Sequence, residues 1–531
     1  MKIKKSSLKL NNYKSTLSMS IPFILSLCIA FALFCSSMLG LQVFGISLNK
    51  IGLLPLELYG LYYIFHVKKG KIQGNRYIKA FIILYMIQII GSILSLAFRD
   101  YISFLEWEDR LVNNAVQYLF IYFPIAFFVF SYSNKKALFS SFKSIMIKIC
   151  RFHAIYVLIQ FVLWNTISIN ITDILINQMF SHIFGSYGVA YGNTGTQIFL
   201  RITGLNSDAA FLSILMLIGY CFDKNKVYKI LYFASTIFAV SRVGMFSIAM
   251  LMCIEVFLYL VKHRHGIKQK VIIRSFIGVV ILLFPVTVVY NNSPSVQNYI
   301  DLLFGRILTI FNSDADIYGT GRHMSYPFLS IYSWFFDLNI IERLIGVGIR
   351  TEGLVFNHSQ YIASFFDFNR TMLTSAWAIE CDFASILLGN GIIGMLVYLY
   401  LYIQLIKSKD MSLILLGIGL LVFGIMYDVF ISTIVQTTLI FIFAYRGDML
   451  CAKKTSSKPL INGKRSEVEF SICIPTYKRT QYLKQAIDSV LMQDDIEKYS
   501  YEVIVVNNDP QDEMKELCEQ YIDNNNVYFF F

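Results

Sequence analysis

The chain has 531 residues, of which 56% are hydrophobic, 16% aromatic and only 15% charged. Apolar runs long enough to cross a bilayer recur along it, which excludes an ordinary soluble domain and predicts an all-α polytopic membrane protein. Its 46 Lys and Arg against 34 Asp and Glu give a formal charge of +12, but the basic residues lie in short loops between apolar runs, where membrane topology explains them and a nucleic-acid partner does not.

The N-terminal stretch MKIKKSSLKLNNYKS is basic and leads into an apolar run with no small-residue cleavage signature, so a retained first helix is expected. Transmembrane helices are predicted at 19–39, 49–66, 77–98, 113–131, 145–165, 207–222, 228–240, 244–262, 272–291, 379–405, 411–426 and 429–446, about twelve in all. A cytoplasmic N-terminus then puts each later basic loop on the same side: VKKGK at 67–71, NKK at 134–136, DKNK at 223–226, KHRHGIKQK at 262–270 and KSK at 407–409. This parity depends on breaking one long apolar run at Ser241–Gly244. A single helix there would bury Arg242. The expected protein is a multi-pass protein of the cell membrane with both termini cytoplasmic.

The cysteines Cys28, Cys35, Cys150, Cys221 and Cys253 lie in apolar segments without CxxC or His/Cys ligand spacing. They read as small core residues, with no metal or other cofactor expected.

Two long loops fall outside, 166–206 and 292–378, and long loops tend to be functional. The larger carries Arg306, Arg322, His323, Arg343, Arg350, Glu352, His358 and Arg370 among aromatics. Aromatic faces stack on sugars and arginine forks grip phosphate, so this composition suits a sugar-phosphate. Arg201 precedes an apolar helix, and Arg242 sits in Ser-Arg-Val-Gly between two apolar runs. A guanidinium at a membrane boundary must snorkel, pair or face water. Both arginines are therefore expected to face a cavity outside the membrane.

Residues 1–446 form the expected membrane domain and 447–469 a polar, basic cytoplasmic linker. From 470 to 531 the pattern changes to α/β. Strand Ser471–Ile474 leads through Pro475-Thr476-Tyr477 into a helix at 480–492, and strand Glu502–Val506 leads through Asn507-Asn508-Asp509-Pro510 into a second helix and a terminal strand. That alternation predicts a βαβαβ unit with a parallel sheet, whose carboxyl edge would hold a nucleotide.

Arg201-Ile-Thr-Gly204, Ser241-Arg-Val-Gly244, Gly319-Thr-Gly-Arg322 and the stretch from Glu380 to Gly394 ending in Gly-Ile-Ile-Gly together resemble the O-antigen polymerase and ligase superfamily, over roughly residues 1–446. The resemblance implies a GT-C-like membrane glycosyltransferase that polymerises polyprenyl-pyrophosphate-linked oligosaccharide repeat units into a capsule, exopolysaccharide or O-antigen on the outer face, without a metal. It also implies flippase and chain-length regulator partners. Arg201 and Arg242 would stabilise the departing pyrophosphate; Glu380, then His358, then Asp382 would accept the proton of the attacking hydroxyl; Arg322 and, behind it, Arg350 would bind acceptor sugars or a second phosphate.

A second resemblance rests on Ile472-Cys-Ile-Pro-Thr-Tyr-Lys-Arg479 and Val503-Ile-Val-Val-Asn-Asn-Asp509, which look like the opening of a family 2 glycosyltransferase of GT-A fold. It implies nucleotide contacts by Pro475, Thr476, Tyr477, Arg479 and Asp509. Asn507 replaces the usual first Asp, and no Asp-x-Asp metal motif or base follows within these residues, so a partial, vestigial unit is expected. The rival expectations are transfer of finished polymer by a ligase, a lipid-linked oligosaccharide flippase, and a membrane-anchored family 2 enzyme.

Overall fold

The computed structural model of the chain describes residues 21–38, 41–44, 46–68, 76–98, 116–180, 183, 191–193, 198–262, 321–348, 351–353, 355, 359, 381–430, 432–456, 470–476, 480–493, 501–507, 517, 521 and 526–530. The chain divides into two compact units, Met1–Met449 and Leu450–Phe531.

The first unit is mostly helical. Its helices are α1 (Phe23–Ser36), α2 (Leu48–Tyr62, running on as a π-helix over Tyr63–Val67), α3 (Arg76–Phe98), α4 (Phe123–Ser131, entered through a π-helical Val116–Tyr122), α5 (Lys135–Ile167), α6 (Ala209–Phe222), α7 (Lys226–Phe238), α8 (Arg242–Lys262), α9 (Gly321–Phe336), α10 (Ile340–Ile345), α11 (Asp382–Ile406), α12 (Met411–Met426) and α13 (Thr433–Ser456). Eleven of the twelve expected apolar segments are thus helical, and the twelfth, 272–291, lies outside the described residues. Among the described residues three helices are long and apolar enough to cross a membrane: α3, through its stretch Arg76–Ser95, α5 and α11.

Several boundaries differ from expectation, for local reasons. The Asn134 side chain accepts a hydrogen bond from the Ala137 N–H at 3.0 Å and caps α5, so Lys135 and Lys136 belong to the first turn of a 33-residue helix rather than to a loop. Asp208, Asn225 and Asp410 cap α6, α7 and α12 in the same way. Helix α13 continues to Ser456, into the stretch expected to be a linker. Inside α11, Gly391 breaks the helix with φ 63° and ψ −169°. A methyl group on Gly391 would lie 2.5 Å from the Leu344 carbonyl, so this close backbone approach requires glycine.

Helix α6 is central, buried at every residue from Leu212 to Phe222. Around it the core is aromatic: Phe142 of α5 stacks on Phe441 of α13 at 4.3 Å between ring centroids, and Tyr77 and Phe81 of α3 meet Phe443 of α13. Cys35, Cys150 and Cys221 are buried as expected, whereas Cys253 is exposed on α8. The loop at 166–206 contains a short antiparallel pair, β3 (Tyr191–Asn193) with β4 (Ile198–Leu200); a smaller pair, β1 (Gln42–Val43) with β2 (Ile46–Ser47), precedes α2.

The second unit is a three-stranded parallel sheet in the order β5 (Phe470–Thr476), β6 (Tyr501–Asn507), β7 (Val527–Phe530), with α14 (Thr480–Leu491) crossing from β5 to β6. Leu483 and Ile487 of α14 pack on Val503 and Val505 of β6. The three expected strands and the first expected helix are in place; the second expected helix lies outside the described residues except for Leu517.

At the end of α6, Asp223 is buried and anchored by Arg151, whose Nε and Nη2 donate to its two carboxylate oxygens at 2.7 and 2.9 Å, by the Tyr232 hydroxyl at 3.0 Å and by the Asn225 N–H at 2.9 Å. Burial alone would raise its pKa, but these donors outweigh it and hold the carboxyl below the ordinary carboxylate value. A lowered folded-state pKa gives stability that is complete above the unfolded value and is lost as pH falls through the folded one. Thermal unfolding in detergent should therefore show a loss of stability below about pH 4. Arg151→Ala should cost roughly 1–3 kcal/mol at neutral pH and flatten that acid limb; an unchanged acid limb would disprove the anchor.

Candidate functional site

Each motif arginine is set by a glycine and a small polar residue. In Arg201-Ile-Thr-Gly204, Gly204 turns left-handed at φ 66°. Its N–H donates to Gln160 Oε1 of α5 at 3.0 Å, and its carbonyl accepts from the Thr172 hydroxyl at 3.0 Å. That turn fixes Arg201 ahead of α6. Arg201 reaches the α6 cap, Asp208, at 3.7 Å, a half-exposed pair worth at most about 1 kcal/mol. Its Nε is buried and finds no hydrogen-bond partner among the described residues.

In Ser241-Arg-Val-Gly244 the apolar run does break. Helix α7 ends at Phe238, Val240 adopts φ 51° and α8 begins at Arg242. A buried β-branched residue in left-handed backbone is strained, by about 1–3 kcal/mol, and such strain gathers at functional sites. Ser241 Oγ accepts from the Gly244 N–H at 3.3 Å and so caps α8. A methyl group on Gly244 would lie 2.3 Å from Ser213 Oγ of α6, so α8 can approach α6 only with glycine there. Arg242 is half-buried at the first position of α8. Both arginines thus flank the first turns of α6, one through its cap and the other through Gly244 and Ser213.

A third element meets the same end of α6. The rings of Phe211 in α6 and Tyr427, just beyond α12, are 5.9 Å apart. The turn after Tyr427 is held by Asp382, the fully buried first residue of α11, whose Oδ1 accepts from the Val429 and Phe430 N–H groups at 2.7 Å each. Tyr398 donates to its Oδ2 at 3.3 Å, and Ser385 donates to the neighbouring Asp428 at 3.3 Å. Asp382 therefore ties the α12–α13 turn to the start of α11.

Of the other expected residues, Arg322 falls in the first turn of α9, while Glu380, His358 and Arg350 lie outside the described residues. Asp208 and Asp428 entered no sequence expectation. Asp208 was legible as an N-cap, an acid directly before an apolar run. Asp428 was hidden because the last helix was expected to begin at 429.

In the second unit, the register pairs Pro475 with Val506 and Thr476 with Asn507. Thr476 and Asn507 thus end adjacent parallel strands at the same carboxyl edge, the edge at which open α/β sheets take nucleotides. Tyr477, Arg479 and Asp509 follow those strand ends and lie outside the described residues. No metal-ligating cluster of His, Cys, Asp or Glu occurs among the described residues.

Residues 471–530 match the glycosyl transferase family 2 model. The match coincides with the parallel α/β unit and supports glycosyl transfer as the general chemistry. No curated protein matches the chain.

The packing of α8 on α6 gives a direct check of the motif's glycine. Gly244→Ala should force the two helices apart and cost roughly 1–3 kcal/mol in thermal unfolding. Ser213→Gly, which vacates the space, should recover part of that loss in the double variant. Additive losses would mean that the two positions do not meet.

Proposed function

We propose that residues 1–446 catalyse glycosyl transfer between polyprenyl-pyrophosphate-linked oligosaccharides, extending a surface polysaccharide on the outer side of the membrane. The observation that carries this reading is the pair of arginines flanking the first turns of α6, with Arg201 Nε lacking a partner among the described residues. Fixed guanidiniums in a site shielded from water can stabilise the negative charge that develops on a departing pyrophosphate, and do so bidentately. The proton of the attacking hydroxyl needs a carboxylate or imidazole acceptor. Asp382 Oδ1 is already committed to two backbone N–H groups, which favours Glu380 as the base over Asp382 and leaves His358 second. Arg322 and Arg350 would hold the acceptor.

Cells lacking the protein and complemented with Arg201→Ala or Arg242→Ala should accumulate single repeat units with the variant still in the membrane. Lysine at either position should fail as well, because an ammonium cannot make the forked contact. Normal polymer length from a well-expressed alanine variant would refute the assignment.

A second reading is favoured by the match at 471–530: sugar transfer from a nucleotide donor at the carboxyl edge of the β5–β6 sheet, with Pro475, Thr476, Tyr477, Arg479 and Asp509 as the nucleotide contacts. Titration of the full chain with uridine diphosphate separates the two readings. Binding abolished by Asp509→Ala, together with loss of product in that variant, would favour the second; normal polymer from Asp509→Ala would favour the first.

A further inference from the structure

Helices α9 and α10 belong to the stretch expected from sequence to be an aqueous outer loop, yet their surface is not that of a solvated loop. Between Pro327 and Gly348 every exposed residue is Phe, Ile or Leu. Phe328, Ile331 and Phe335 recur at helical spacing on α9, and Ile340, Ile341 and Leu344 follow on α10. Phe328 is 76% exposed and Ile340 69%. The opposite side of α9, with Leu329, Ser330 and Ser333, is buried, and Leu329 packs with Leu388 of α11.

Several polar groups of this hairpin are satisfied within it. Buried Glu342 accepts the Asn339 N–H at 3.1 Å, and the Asn339 side chain accepts the Glu342 N–H in return. Arg343 Nε donates to the Leu338 carbonyl at 2.8 Å, and the guanidinium lies over the Phe335 ring. The Trp334 indole donates to the Arg343 carbonyl at 2.9 Å. A helix whose open side is apolar is matched to hydrocarbon, not to water.

The segment that follows fixes the depth. The Val347 N–H donates to the Leu388 carbonyl at 3.0 Å and the Gly348 N–H to the Gly389 carbonyl at 2.8 Å, while Gly346 and Gly348 lie against Gly91 of α3. Gly91 comes seven residues before α3 ends at Phe98, and Gly389 seven residues after α11 begins at Asp382. Two antiparallel spans therefore agree that this peptide sits about 10 Å inside their ends, within the apolar layer of a bilayer. Irregular backbone at that depth is tolerated only where protein buries it, and here both N–H groups are paired with α11. The exposed apolar surface continues on either side, with Ile90 and Ile93 of α3 and Leu396 of α11 also exposed.

We propose that α9 and α10 form a membrane-immersed hairpin, lying against acyl chains in the leaflet where α3 ends and α11 begins. The proposal rests on α3 and α11 crossing the bilayer and is independent of which glycosyl transfer the protein performs.

The test uses the full chain in liposomes with Phe328→Trp and, separately, Ile340→Trp, the two most exposed hydrophobic positions of α9 and α10. The added tryptophan emission, read against the parent chain, should be quenched by lipids brominated along their acyl chains and indifferent to aqueous iodide. Quenching by iodide would overturn the proposal. So would protection from both quenchers, which would mean that another protein surface covers the face. Release of the parent chain from the liposomes by carbonate would remove the bilayer premise itself, a failure distinct from that of the pyrophosphate assignment.

Discussion

A backbone N–H or carbonyl with no water beside it must find a partner, and the helical unit is arranged around that requirement. Several helices begin with a side-chain cap: Asn134 for α5, Asp208 for α6, Asn225 for α7, Ser241 for α8. Where a helix breaks, another segment supplies the missing bonds. The carbonyls of Leu388 and Gly389 near the break in α11 accept from Val347 and Gly348. Asp382 does the same for the turn between α12 and α13, accepting both Val429 and Phe430.

The glycines follow from the same constraint. Backbone can satisfy backbone only at close range, and Gly91, Gly346, Gly348 and Gly391 let α10, α3 and α11 approach until main-chain atoms touch. Gly244 serves a side-chain approach, bringing α8 onto Ser213 of α6. The Ser-Arg-x-Gly and Arg-x-x-Gly patterns are therefore as much packing devices as arginine carriers: serine caps, glycine admits the neighbouring helix or the left-handed turn, and the arginine is delivered to the same end of α6 in both cases. Both motifs therefore adjoin α6, and that shared neighbourhood makes the polymerase reading worth testing before the nucleotide-dependent one. The family 2 match, confined to 471–530, speaks for the chemistry of the second unit and leaves that of the first to its own residues.

The sequence by itself determined the helical class, because apolar runs of bilayer length with basic punctuation have few other solutions. It also located eleven helices, the split at Ser241, and the parallel α/β unit with its strands at 470 and 502. Side-chain caps shifted the boundaries that it missed, as at Asn134, and those depend on one local hydrogen bond that hydropathy does not register. What only the tertiary structure decided was which distant residues share a place. That Arg201 and Arg242 both adjoin α6, that Asp382 is occupied by a turn nearly fifty residues away, and that the face of α9 and α10 is apolar on its open side are consequences of contacts between segments far apart in the chain. Hydrophobic periodicity reports only how each segment meets its surroundings, not which segment those surroundings are, so no reading of the run from 321 to 348 alone could distinguish a face turned to protein from one turned to lipid.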